Sequence, residues 1–234
     1  MTEGQMRRRD LVIAALAASF GPAARAAAAP APAVLELFTS QGCSSCPPAD
    51  ALLGELAGEP GIIALAWHVD YWNGLGWHDP YSSPAATERQ RHYAAQLHDE
   101  VYTPALVVNG ARMVVGSDGA AVRAAIGAAG GFAVNVTLRR DGTAASAEIG
   151  AAGRNVSALL ATYDAQRATA VGAGENGGRR LIEYRVVRDV IPLGDWDGAP
   201  RRIALPPIAA GRGAVLLLQT EDLVVRGAAD LPAA

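Results

Sequence analysis

The sequence contains no lysine; all 20 of its basic side chains are arginine. Set against 23 acidic residues they leave a net charge of -3, so there is no basic surplus to neutralise a phosphate backbone, and nucleic acid is excluded as a partner class. The preference for Arg and Ala is a coding bias and carries no chemistry. Cysteine is almost absent: Cys43 and Cys46 are the only two, so no second pair exists to complete a four-cysteine zinc site. No G-x-S-x-G stretch occurs, which removes the nucleophile elbow of the α/β-hydrolases. Long apolar runs are missing too, apart from ten residues near the N-terminus that are too short to span a bilayer as a stable helix. What the chain does have is size and apolar content. At 234 residues, half of them hydrophobic, it can bury a sizeable core without disulfide staples.

The N-terminus reads as an address. Arg7, Arg8 and Arg9 form a positive region, Leu11 to Phe20 is apolar, and Ala24-Arg25-Ala26 is an A-x-A cleavage pattern, so residues 1–26 are expected to be a signal peptide. Arg8-Arg9-Asp10-Leu11-Val12 resembles the twin-arginine pattern, with an ordinary secretory signal as the other route. Either route predicts an exported protein, periplasmic or extracellular, with no transmembrane segment after signal removal. Two nearby cysteines persist as a disulfide in such a compartment. Residues 27–33, alternating Ala and Pro, read as a tether.

Val34 to Phe38 has the pattern of a strand, Pro47 to Ala57 of a helix, and Ile62 to Val69 of a fully buried strand, which together make a βαβ unit. A polar and aromatic loop follows. Ser83-Pro84 then opens a helix, as a cap followed by proline at the first position. Asn109-Gly110 joins two short strands, and Asp118 caps a helix that stops at Gly130-Gly131. The order βαβ-α-ββα is the thioredoxin arrangement of elements. From residue 131 onward the pattern turns to short strands with regular turns, as expected of a β-sandwich. The expected fold is therefore an α/β thioredoxin-like domain over 34–130 followed by an all-β sandwich-like domain over 131–234.

Cysteines at i and i+3 have Cα atoms about 5 to 6 Å apart, within disulfide reach. An ordinary thiol is only about 3% ionised at pH 7, and a helix N-terminus enriches the thiolate. Cys43 is expected on the exposed side of the turn as the attacking thiol, and Cys46, one turn deeper, as the resolving one. The competing reading is a static clip.

The segments LELFTSQGCSSCPPAD, WHVDYWNGLGWHDPYS, VYTPALVVNG and GAGENGGRRLIEYRVVRD resemble an exported thioredoxin-like family catalogued as domain of unknown function 1223. The resemblance implies a thioredoxin-like fold with a β-rich partner and a redox site at Cys43 and Cys46; it supplies no substrate. In thioredoxin-like folds the proline that opens the later strand is cis and faces the cysteine pair, which gives Thr103 and Pro104 the task of positioning a substrate backbone. Two departures from thioredoxin, Ser44-Ser45 in place of Gly-Pro and Gly42 in place of Trp, leave the redox direction open.

Further candidates surround this centre. Glu36, on the first strand, is either a proton relay to Cys46 or a strand-end acid at the rim. The loop after the second strand carries His68, Asp70, Trp72 and His78, either as groups that tune the thiols and shape a groove or as a packed aromatic loop. Gly172-Ala173-Gly174-Glu175-Asn176-Gly177 matches G-x-G-x-x-G, but the β-like run after it marks a turn, since a dinucleotide site needs a helix there. The leading expectation is an exported thiol-disulfide oxidoreductase that uses the Cys43-Cys46 disulfide, without another cofactor, on protein or small thiols or with a periplasmic redox partner. The alternatives are a copper or zinc binding or delivery protein with Cys43, Cys46 and His68 as ligands, and a binding module with an inert disulfide.

Overall fold

The computed structural model describes Met1 and residues 31–142, 144–153 and 155–233. The expected signal peptide, apart from Met1, and residues 27–30 of the tether lie outside the described residues. The chain runs β1 (Ala33–Thr39), α1 (Pro47–Leu56), β2 (Ile62–His68), α2 (Pro84–Leu97), β3 (Ala105–Val108), β4 (Arg112–Val115) and α3 (Gly119–Ala128). It continues with β5 (Val136–Asp141), β6 (Ala144–Ile149), β7 (Val156–Ala170), β8 (Arg180–Trp196), β9 (Arg201–Ala204), β10 (Gly213–Gln219) and β11 (Val225–Leu231).

Local chemistry sets the helix starts. Pro47 and Pro48 open α1 where a missing N–H costs nothing, and the Cys46 carbonyl accepts from the amides of Ala49 at 2.8 Å and Asp50 at 3.1 Å. The Ser83 hydroxyl accepts from Ala86 N–H to cap α2, and an Asp118 oxygen accepts from Ala120 and Ala121 to cap α3. Asn109 and Gly110 take φ of 50° and 66° in the turn between β3 and β4, a conformation those residue types adopt readily.

The expected pairing of a thioredoxin-like domain with a separate sandwich-like domain is overturned. Among the described residues the fold is mainly β, with 42% strand against 17% helix, and its centre is one mixed eight-stranded sheet ordered β11-β10-β7-β8-β2-β1-β3-β4. The physical reason lies at β2. This strand is buried on both faces, and left as a sheet edge it would present unpaired amides and carbonyls beside apolar side chains. β8 covers that edge in parallel, at Ala66 opposite Val186, and so joins the later strands to the earlier ones. A second, three-stranded sheet, β5-β6-β9, packs through Ala147 and Ile149 against Leu160 and Leu216 of the large sheet.

Alternation along β1 and β2 decides what each helix covers. Leu35, Leu37, Ala64 and Ala66 face α1 and α3, meeting Ala49, Leu53, Leu56 and Val122. Val34, Phe38, Leu65 and Trp67 face the other way, toward Ala86, Tyr93 and Ala94 of α2. Thr39 and His68, paired across β1 and β2, extend the row that lies under α1.

Candidate functional site

Between β1 and α1 the chain makes two tight turns, with Cys43 N–H donating to the Ser40 carbonyl at 3.1 Å and Cys46 N–H to the Cys43 carbonyl at 3.2 Å. These turns bring Cys43 and Cys46 to a Cα separation of 5.5 Å, and the two are joined as a disulfide. Both cysteines are fully buried, whereas Ser44 and Ser45 between them are exposed. The expected exposure of Cys43 is thus not met. The Ser45 hydroxyl stands 3.3 Å from Cys43 Sγ.

The loop from Asp70 to Ser83 packs against this turn. Trp72 lies over Gly42, where a Cβ would stand 3.0 Å from the Trp72 Cβ, so glycine is what allows the approach. The Trp72 indole N–H donates to the Thr103 hydroxyl at 2.9 Å, and the Thr103–Pro104 peptide bond is cis. Trp72 thereby links the cysteine turn to the start of β3. Asp70 is turned to α2, accepting from the Thr87 hydroxyl at 2.6 Å, and His78 is exposed.

Beneath the turn lies a buried polar cluster. Gln41 donates from its side-chain amide to Thr169 of β7 and Glu183 of β8, each at 2.9 Å, and accepts from the Trp77 indole at 2.9 Å. Its backbone N–H donates to Asp79 at 2.9 Å, and the same Asp79 oxygen holds His68 Nδ1 at 2.7 Å. Burial alone would push the His68 imidazole down, but the Asp79 carboxylate beside it raises it to about 9. Asp79, which burial alone would raise, is held below the usual carboxylate range by His68.

Asp50 completes the cluster and is the residue that sequence reasoning missed. It stands one turn after Cys46 on α1, on the same helix face, and is buried. Burial pushes its carboxyl up to about 7, with His68 acting in the opposite direction. Glu183 is also raised by burial. Among the described residues, one Asp50 carboxyl oxygen and His68 Nε2 are buried with no hydrogen-bond partner in reach, and the Thr39 hydroxyl lies beside Asp50, where it acts to lower the carboxyl.

Glu36 takes no part in it. Its side chain points to the α2 face, where Arg89 grips both carboxylate oxygens at 2.6 and 2.9 Å and the Tyr93 hydroxyl donates at 2.5 Å. Neither of the two roles expected for Glu36 applies, because it is fully buried and on the face of the sheet away from α1. For the expected metal set, Cys43 and Cys46 are bonded to each other and His68 Nδ1 is engaged by Asp79. Among the described residues no three His, Cys, Asp or Glu side chains are arranged to hold a metal ion.

The glycine-rich G-x-G-x-x-G stretch is the tip of the β7–β8 hairpin, and it folds back onto the cysteine turn. Asn176, fully buried, donates from its side-chain amide to the carbonyls of Gln41 at 3.0 Å and Cys43 at 2.9 Å. Glu175 accepts from Ser44 N–H at 3.1 Å, and Gly172 and Gly174 lie against the Trp77 side chain.

Fold and site together define a disulfide-bearing CxxC protein built on a mixed, mainly β sheet. The chain belongs to the family described as protein of unknown function (DUF1223), whose model matches residues 34–219. It is similar to the crystal structure of protein AGR_C_4864 from Agrobacterium tumefaciens, with 32% identity and a TM-score of 0.79 over 89% of this chain and 97% of that one. HBP35 of Porphyromonas gingivalis shares the fold at a TM-score of 0.52 and 13% identity, over 87% of this chain and 75% of that one. No curated protein matches the chain.

Proposed function

We propose that this protein is an exported thiol-disulfide oxidoreductase whose working group is the Cys43–Cys46 disulfide. The observation that carries the reading is the placement of the disulfide over a buried cluster of titratable side chains, Asp50, His68, Asp79 and Glu183. The two-cysteine ring closes at the start of α1, and the buried Asp50 carboxyl stands on the same helix face one turn below Cys46. The Arg7–Arg9 region, the apolar run after it and the A-x-A pattern support export, and an oxidising compartment suits a closed disulfide.

The exchange balances as follows. The thiolate of an external dithiol attacks Cys43 Sγ, the Cys43–Cys46 bond breaks, and Cys46 leaves as a thiolate that takes a proton from Asp50. The second thiol of the partner then attacks its own sulfur in the mixed disulfide and expels Cys43. The partner is oxidised by two electrons and the protein reduced by two. Run backward, the same steps let the Cys43/Cys46 dithiol reduce a disulfide partner, and the protein is reoxidised. Thr103–Pro104 and Trp72 flank the turn and orient the incoming segment.

A second reading, an inert clip, is favoured by the burial of both cysteines. Replacing Cys46 by Ser separates the two. Oxidoreductase action predicts partners covalently held on Cys43, released by reductant and resolved on a non-reducing gel. An inert clip predicts free Cys43 thiol and no trapped species.

A further inference from the structure

The β7–β8 hairpin is long, and only its base belongs to the sheet. β10 pairs with β7 from Ser157 to Tyr163, and β2 meets β8 at Val186. Beyond those points β7 and β8 pair only with each other, through Gln166 opposite Tyr184 and on to Ala170 opposite Arg180. A two-stranded ribbon has little stability of its own in water, so this distal part is held by what it docks on. The ribbon meets the sheet at an irregular point. The register shifts between Thr162 and Tyr163, and Arg185 on the facing strand has a φ of 57°. Arg185 also anchors the base, donating to the Ala64 carbonyl and to Asp230, each at 2.8 Å, with its guanidinium 3.7 Å from the centre of the Tyr163 ring.

The docking contacts of the ribbon fall on α1 and on the turn that carries the disulfide. Tyr184 packs on Gly54 of α1, where even a Cβ would stand 2.4 Å from its ring. Thr169 and Glu183 accept from Gln41, Asn176 donates to the carbonyls of Gln41 and Cys43, and Glu175 accepts from Ser44 N–H. The carbonyls of Gln41 and Cys43 and the Ser44 N–H are thus engaged by the protein's own hairpin.

We propose that residues 164–184 form a hinged arm whose tip covers the Cys43–Cys46 disulfide, with Asn176 as its latch, and that reagents reach the sulfurs only when the arm lifts about the Tyr163 and Arg185 junction. The proposal rests on the reading of the disulfide as an exchange centre for its purpose, but the arm's effect on access is independent of it. A partner in exchange competes with Asn176 for the carbonyls of Gln41 and Cys43, and small thiols wait on the opening of the arm.

The test is the reduction rate of the oxidised full chain by a water-soluble trialkylphosphine, followed by acid quench, thiol alkylation and mass. The phosphine attacks one sulfur, the disulfide breaks, and water converts the phosphonium to phosphine oxide, leaving two thiols. A gate makes the rate level off as phosphine concentration rises, at the opening rate of the arm. Asn176→Asp, which sets a carboxylate against two carbonyls, is expected to raise the rate at low phosphine about tenfold or more, the equivalent of about 1.4 kcal/mol or more in the opening equilibrium. Glu175→Ala, at an exposed position that does not threaten folding, is expected to raise it about threefold. Rates linear in phosphine with the same slope in all three proteins would overturn the proposal, as would a plateau equal to the global unfolding rate. A gated rate combined with failure to trap partners in the Cys46→Ser protein would refute the oxidoreductase reading alone.

Discussion

Asp50→Asn gives the sharpest view of the buried cluster. In the folded protein the Asp50 carboxyl is pushed up to about 7 from an ordinary value of 3.8. Between those two values the folded state holds a proton that the unfolded chain has released. Stability therefore falls as pH rises, by about 1.4 kcal/mol for each pH unit from roughly 4 to roughly 7, a total of about 4 kcal/mol. Asparagine carries no titrating proton and fits the same space, so the variant loses this slope. It is expected to be less sensitive to pH than the parent and more stable above pH 7, where the parent carries a buried carboxylate. Urea unfolding of the oxidised proteins at pH 5, 6, 7 and 8 measures both curves, with the disulfide intact throughout. Parallel curves for parent and variant would refute the reasoning. In the proposed exchange Asp50 gives its proton to the leaving Cys46 thiolate, so with Asp50→Asn reduction by a dithiol is expected to slow and to lose its inflection near pH 7.

Two other predictions concern the neighbouring charges. His68 is raised to about 9 from 6.5, so its contribution is full below about pH 6.5 and lost as pH rises through about 9. About 3 kcal/mol is at stake, and His68→Gln is expected to flatten the unfolding free energy between pH 7 and 10. On the other face, Arg89→Met leaves the Glu36 carboxylate buried without its cation, and a loss of about 3 to 5 kcal/mol is expected in denaturant unfolding. Phosphine reduction of the disulfide in that variant is expected to keep the parent's rate, because the Glu36 and Arg89 pair lies across the sheet from α1.

Much of the first half was legible in the sequence because its signals are local. The Pro47-Pro48 start, the Ser83 and Asp118 caps and the Asn109-Gly110 turn each act within a few residues, and each is where it was expected. The architecture was not legible, because it turns on a long-range choice. Nothing near Ala66 says that Val186 will lie beside it, and a strand reading of Leu181 to Val190 fits a separate sandwich as well as an added strand. At the site, Asp50 reads in sequence as an ordinary acid in a helix's first turn, favoured there by the dipole. Only its burial in the folded chain, beside Thr39, His68 and Glu183, makes it a titrating group near neutrality. Glu36 could have been assigned its face, since it alternates with Leu35 and Leu37, whose side chains meet α1. The G-x-G-x-x-G stretch was legible as a turn, but its landing on the cysteine turn depends on the reach of β7 and β8.

The reduction potential of the Cys43–Cys46 pair, measured by equilibration of the full chain with defined dithiol and disulfide ratios, bears most directly on the account. An exchange centre with Asp50 below Cys46 predicts a potential between about -270 and -120 mV, the span of dedicated oxidoreductases. A potential below about -300 mV, where structural disulfides lie, would contradict it.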